Sequence, residues 1–496
     1  MKELSKLLRY ILTLILLTFI AGLITCCNPS DKIDTNPALR LGFSNDTVLF
    51  DTVFTTLGSS THVLKVYNRN SHRVQLSNIQ LGGGAASAYR VNVDGQAGAS
   101  FTNISIDAHD SLFIFVRVTI NPNDQNAPFI VHDSLLFNLN GNRKKIDLVA
   151  WGQNAHYIIA DTRLTGLPAF KIVAAKNQKV TWKADKPYII YGYAFVDSAA
   201  QLSIDPGAHI YLHEGAGLWV FKNGSLKVNG TKDKRVIFQG DRLESFYNDV
   251  PGQWDRIWIN ESNTDSQISW AIIKNGFTGI QAETIDNVGS GKLLIENTEI
   301  SNMTGYGILA KKYTINAGNL LVYGAGIQSL YLAAGGAYDF RHCTFSNYWD
   351  KSVRSTPSIR LSNYYSYVDA AGKVAQTKGD LTKAYFGNCL IAGNQANELF
   401  SDGDATAGTF SYLFDHSAIQ TLAVNDAAHY LNAVRLQQQV FRMPKDTVIP
   451  EARGIGLKQI ITGAPSPLKL QTDLFGNDRN LNAQPDAGAI QFQLKK

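Results

Sequence analysis

Apolar and polar residues alternate with a period of two in short runs along most of this chain. In SLFIFVRVTI (111–120), Leu112, Ile114, Val116, Val118 and Ile120 fall on one face, and THVLKVYN (61–68) and SLLFNLNGN (134–142) alternate in the same way. Runs of this kind between 47 and 152, separated by turn residues, predict a β-sandwich. Beyond residue 154 the strands shorten to three to five residues between Gly, Asn and Asp, as in LSIDPGAHIYLHEGAGLWVFKNGSLKVNG (202–230). Similar units return as AIIKN, TEISN, LLVYG, CTFSN and CLIAG, ending at Asn275, Asn302, Gly324, Asn347 and Gly393, so the intervals are 27, 22, 23 and 46 residues. A period in the twenties marks a solenoid, in which no repeat buries its apolar face alone. Inward Val, Ile and Leu with Asn or Gly at the corners predict a right-handed parallel β-helix, and the L-x-x-L-x-L string of a leucine-rich repeat is missing.

Composition fits an all-β chain: 41 Gly and only 3 Met in 496 residues, 45% of them hydrophobic. Two stretches depart from the coil pattern. Residues 366–383 are too polar for a coil and predict a loop or hairpin. In DAAHYLNAVRLQQQVF (426–441), an acid at the start and Leu431, Val434 and Val440 at helical spacing predict a short C-terminal helix covering the last coils.

The N-terminus carries Lys2, Lys6 and Arg9 before the apolar run YILTLILLTFIAGLIT, the pattern of a cleaved signal peptide over 1–25. The next residues, LITCC, resemble a lipobox, which implies acylation at Cys26. Thr25 departs from the usual small residue at its position, so Cys27 is the alternative. Residues 26–42, polar with two prolines, then form a tether between an outer-membrane lipid anchor and a body facing the periplasm or the cell surface. Loss of 1–25 removes three bases and one acid, and the charge of +5 becomes +5 − 2 = +3. So mild a balance points away from nucleic acid.

The order of runs in 43–153 resembles the immunoglobulin-like modules of bacterial surface proteins. Residues 154–496 resemble bacterial parallel β-helix proteins of the pectate-lyase-like type. There LSIDPGAHI and GQWDRIWI are similar to opening coils, and DLFGNDRNLNAQPDAGAIQF (473–492) is similar to the D-x-x-G-x-x-R…P-D-x-G-A ending of many of them. The resemblance implies an architecture shared by polysaccharide hydrolases, lyases and non-catalytic binders.

Candidate chemistry divides along those lines. Asn263-Thr264-Asp265 matches the first hydrolase motif, but no paired Asp, GHG or RIK follows, so a two-carboxylate mechanism lacks its second half. VRSTPSIRLSN is similar to the lyase R-x-P-x-x-R run with one residue too many. It makes Arg360 the candidate base, with Arg354 and Pro357 as its companions. Asp402 and Asp404 in SDGDA could serve Ca²⁺, although a two-acid glycine loop is ordinarily a turn. No other cofactor, and no zinc spacing, is indicated. Alternation turns Tyr211, Trp219 and Trp258 outward, which makes them candidates for stacking on sugar rings.

YDFRHCTFSNYW (338–349) crowds Asp339, Arg341, His342 and Cys343 together, and it reads as ordinary coil with Cys343 and Phe345 inside. Cys343 and Cys389 are 46 residues apart. Taken as two coils, that interval puts their Cα atoms roughly 9–10 Å apart, too far for a disulfide, and predicts two free buried thiols. The sequence as a whole points to an envelope lipoprotein that binds polysaccharide or an envelope protein without catalysis. The alternative is a lyase acting on uronate-containing glycan.

Overall fold

The computed structural model describes Thr13 and residues 32–492 except 57, 123–127, 261–262, 285–290, 370, 423, 438–449 and 482. The predicted signal peptide apart from Thr13, and both Cys26 and Cys27, lie outside the described residues. The chain divides between Asn154 and Ala155 into two compact units.

In the first unit two five-stranded sheets enclose one core. One sheet runs in the order Gly42–Phe43, His62–Tyr67, Ser111–Val118, Tyr89–Val93, Gln96–Gly98. The other runs Thr47–Phe54, Asn142–Gln153, Phe129–Leu139, Val74–Leu81, Ser100–Ile106, with Thr47–Phe54 parallel to Asn142–Gln153. The inward faces meet at Leu64, Val66, Ile114 and Val116 from the first and Leu76, Ile79, Leu135 and Leu148 from the second. The alternation read from 111–120 is therefore the core face of a sandwich.

The second unit is a parallel β-helix. Each full coil passes through three ladders, termed B, C and A in chain order. A representative coil is Gly217–Phe221 on B, Ser225–Asn229 on C and Val236–Gly240 on A. Ladder A is an 11-stranded sheet, and ladders B and C join in a 17-stranded one. In that coil Leu218, Val220, Leu226, Val228, Val236 and Phe238 are fully buried. Each such side chain stabilises the fold by roughly 1.5–3 kcal/mol before chain entropy is set against it. The five repeats that end at Asn275, Asn302, Gly324, Asn347 and Gly393 all belong to ladder A, whose strands register Lys274 with Ser301, Tyr323, Ser346 and Ala392.

The corner between ladders C and A holds a second row of asparagines, joined by one Trp and two His. Trp270, Asn297, Asn319, His342, Asn388, His416 and Asn432 hold φ between 47° and 53° there. Asn tolerates this left-handed region because its short amide bonds locally. Asn319 donates to Asn297 Oδ1 at 2.9 Å, and Asn388 Nδ2 meets His342 Nε2 at 2.9 Å. A left-handed corner also resets the strand alternation. Phe340 before it and Cys343 and Phe345 after it are thus all inside, while Arg341 points outward.

Three expectations need correction. The interval from Cys343 to Cys389 is one coil, not two. It contains the antiparallel hairpin Tyr364–Val368/Val374–Lys378, and Thr344 pairs directly with Leu390. In-register neighbours lie about 4.8 Å apart, within disulfide range, so distance does not keep these thiols apart. They are nevertheless free and buried, next to carbonyls of Ala317 and Arg341 for Cys343 and of Phe340 and Gly387 for Cys389.

The helix expected over 426–441 is absent from its described part. Asp426 closes a turn on Ala428 N and His429 Nδ1, and the strands Tyr430–Leu431 and Val434–Leu436 extend ladders C and A. Each of those two strands pairs with the previous coil, a long-range gain that local helical spacing does not reveal. Residues 438–441 lie outside the described residues. The short helix occurs instead at Lys458–Thr462.

The C-terminal tail does not simply cover the last coil. From Leu457 to Ala489 it runs along the flank, bonding Asn388 at Leu457, Arg341 at Ile460, Glu296 at Lys469, Asn319 at Thr472, Arg235 at Leu474 and Thr344 at Ala489. Asp473 gathers the backbone of Phe475, Asn477 and Gln491, and the fully buried Arg479 donates to Asn319 Oδ1 and Gly488 O. Asp339 and Arg341 belong to this flank. They pair at 2.7 Å, and Arg341 holds the carbonyl of Ile460 at 2.9 Å.

Candidate functional site

The outward positions of ladder B form one continuous row. Strand register aligns Phe195, Trp219, Trp258, Gln281, Leu309, Tyr331, Arg360 and Phe400, one per coil. Seven steps at about 4.8 Å make it roughly 34 Å long. A parallel row beside it carries Phe221, Asn260, Glu283 and Lys311.

The three aromatic candidates are placed differently. Tyr211 lies on ladder A, only 8% exposed, and belongs to neither row. Trp219 points away from the solenoid interior but is 4% exposed, because the outer face builds its own aromatic cluster. Its ring stacks on Trp258 at 4.8 Å and 12° and meets Phe195 edge-on at 4.8 Å. Outward alternation was right for Trp219, but neighbours one coil away cover it. Trp219→Ala is expected to cost about 3–5 kcal/mol, as for other buried Trp truncations. Denaturant unfolding of the variant measures it, and a loss under about 1 kcal/mol would mean the cluster is not packed. Trp258, half-buried, is the more exposed ring of the stacked pair.

Ionic pairs alternate with these rings. Arg256 donates to Asp255 at 2.9 Å and also bonds Gln281. Glu283 accepts the Trp258 indole N–H at 2.7 Å and pairs with Lys311, whose ammonium lies 4.9 Å from the Tyr365 ring. Arg360 is held between the rings of Tyr331 at 4.9 Å and Phe400 at 5.7 Å, 3.9 Å from Asp402. Burial pushes the Tyr331 hydroxyl up to about 12 despite Arg360, so it remains a neutral donor. The bond to Asp402 raises Tyr364 in the same direction.

Sequence reasoning missed Glu283, Lys311 and Tyr331. The signal was in the repeat: TGIQAE (278–283) and YGILAK (306–311) share their phase, and they place an acid and a base at the same position. Opposite charges on one rung of a ladder are cross-strand partners.

The remaining candidates are structural. Arg354 is fully buried and bonded to Glu398, so the lyase-like run is a clasp for most of its length. Asp404 caps a turn and binds Lys378, while Asp402 accepts from the Tyr364 hydroxyl. Asn263, Thr264 and Asp265 bond Asn223 Oδ1, Gly224 O and Lys292. Among the described residues no three His, Cys, Asp or Glu side chains gather as metal ligands, and no helix is long and apolar enough to cross a membrane.

No protein-family model and no curated protein matches this chain. Among solved structures it is similar to the catalytic unit of a GH87 alpha-1,3-glucanase from Streptomyces thermodiastaticus, with 12% identity over 75% of this chain and 66% of that one, and a TM-score of 0.23. It is also similar to a family 123 glycoside hydrolase from Clostridium perfringens, with 9% identity over 24% of this chain and 30% of that one, and a TM-score of 0.18. PapD-like domain 7 of human CEP192 matches 26% of this chain over 94% of its own length, at 10% identity and a TM-score of 0.17. The chain thus spans 30% of the family 123 hydrolase and 66% of the glucanase unit. At these scores the likeness carries no argument about activity.

Proposed function

We propose that this protein is a lipid-anchored envelope component that binds a polysaccharide chain along ladder B without cleaving it. One observation carries the reading: three bases on ladder B, among the aromatic rings, each stand beside an acid. Arg256 lies by Asp255, Lys311 by Glu283 and Arg360 by Asp402. Paired charges offer hydrogen-bond donors and acceptors to hydroxyl groups, whereas a polyanion would need unpaired cations. The row extends in one direction, as a chain-shaped ligand requires. The leader and the Cys26/Cys27 pattern support export and anchoring.

The test is retention of the full chain, held in mild detergent, in native gels containing neutral or uronate polysaccharides. Retention by a neutral polysaccharide is expected, and Trp258→Ala is expected to weaken it about tenfold, or 1.4 kcal/mol. No retention by any neutral polysaccharide would overturn the proposal. Unsaturated products that disappear in Arg360→Ala would replace it with the lyase reading.

A further inference from the structure

Ladder A carries chemistry that the row on ladder B does not use. Its outer face floors a cleft of about 490 Å³, within the roughly 300–1,000 Å³ of small-molecule sites. One outward row of the floor reads Ile237, Ile272, Glu299, Leu321 in register, so a single carboxylate interrupts three aliphatic side chains. Asp249 reaches the cleft from the loop before Trp254, Tyr348 and Trp349 from the loop after Thr344–Asn347, and Ile490 from the C-terminal tail.

The polar groups are fixed in place. Glu299, 2% exposed, accepts the Tyr323 hydroxyl at 2.7 Å and lies 4.0 Å from Arg235. Burial and then Glu299 raise the Tyr323 hydroxyl, which therefore stays protonated. The Trp349 indole N–H donates to Ser352 Oγ at 2.8 Å, which orients a ring that is 5% exposed. The Tyr348 hydroxyl is buried and has no hydrogen-bond partner among the described residues.

We propose that this cleft is a second ligand site that takes one or two uncharged pyranose rings of a short oligosaccharide. Aromatic walls fit the apolar faces of such rings, and a buried carboxylate with amide neighbours at Gln239 and Asn302 fits their hydroxyls. Charge selects against an acidic sugar. Three carboxylates line the cleft against the two ammonium groups of Lys274 and Lys351, and Lys351 is 4.0 Å from Asp350. The proposal does not depend on binding along ladder B.

The experiment is isothermal titration calorimetry of the full chain in mild detergent with neutral gluco-, manno- and galacto-trisaccharides, using a galacturonate trisaccharide as the acidic comparison. At least one neutral trisaccharide is expected to bind saturably, more tightly than the acidic one. Glu299→Gln and Tyr323→Phe are each expected to weaken it at least tenfold, with melting temperature monitored. Tyr323→Phe removes a single hydroxyl and serves alone if Glu299→Gln does not fold. Trp258→Ala separates the two sites, because it acts on gel retention of long chains and not on this titration. The proposal is overturned if no neutral trisaccharide saturates, if the acidic one binds tighter, if Tyr323→Phe changes nothing, or if Trp258→Ala abolishes the titration.

Discussion

Replacing Glu398 with alanine is expected to destabilise the solenoid by about 3–5 kcal/mol, the cost of leaving a buried partner charge uncompensated. The side chains of Arg354 and Glu398 are both 0% exposed. Their guanidinium and carboxylate bond at 2.6 and 3.0 Å, and Glu398 also accepts the backbone N–H groups of Ser358 and Gln395 at 2.7 Å. Burial still raises the Glu398 carboxyl above its ordinary range against these contacts, which shows how much desolvation the pair must offset. Arg354 in turn holds the carbonyl of Asn347 at 2.7 Å, and Gln395 holds that of Arg354 at 2.6 Å. The pair therefore anchors both ends of the loop that brings Tyr348 and Trp349 to the cleft on ladder A.

The double replacement Arg354→Met/Glu398→Leu removes both charges at similar volume and is expected to cost less than Glu398→Ala, the remaining loss coming from the Ser358 and Gln395 N–H groups and the Asn347 carbonyl left unpaired. Denaturant unfolding followed by tryptophan fluorescence distinguishes the two. If Glu398→Ala costs less than about 1 kcal/mol, or as little as the double replacement, water reaches the pair and the anchoring role is lost.

Arg354 also illustrates what the sequence could reveal. The coils were legible because their cause is local and repeated: inward aliphatics at period two and a left-handed Asn or Gly closing a repeat mark Asn275, Asn302 and Gly324 without any knowledge of partners. The sandwich was legible for the same reason at Leu112 through Ile120. What escaped depends on who lies one coil above or below. Trp219 looks exposed until Trp258 and Phe195 are stacked on it. Arg354 looks like part of a catalytic run until Glu398, 44 residues on, is found beside it. Cys343 and Cys389 were misjudged because an inserted hairpin doubled the apparent spacing. The stretch YDFRHCTFSNYW was correctly read as coil over Asp339 to Phe345. The residues at its end, Tyr348 and Trp349, form the cleft wall, and nothing local marks them.

His342→Asn is expected to remove a pH dependence from the stability of the second unit. His342 is fully buried at the C–A corner with φ 50°. Burial first, and then the charge of Arg479, hold its imidazole well below the ordinary value near 6.5. Arg479 is itself buried, with its guanidinium lowered only to about 10, so it stays cationic at neutral pH and opposes a second cation beside it.

The sign follows from linkage. Below about pH 6.5 the unfolded chain binds a proton at His342 that the folded chain refuses, so stability falls as pH falls. The slope is about 1.4 kcal/mol per pH unit down to the depressed folded value. At pH 5 the loss is roughly 2 kcal/mol relative to neutral pH. Asparagine fits the replacement because Asn319 and Asn388, the neighbours in the corner row, hold the same left-handed φ. Its amide oxygen can also accept from Asn388. Unfolding free energies of parent and variant measured between pH 8 and 5 should run parallel above neutrality and diverge below it, the parent losing more. Curves that remain parallel to pH 5 would mean that His342 is protonated in the folded state. In that case the corner would hold two adjacent cations, and the tail carrying Arg479 could not be docked as described.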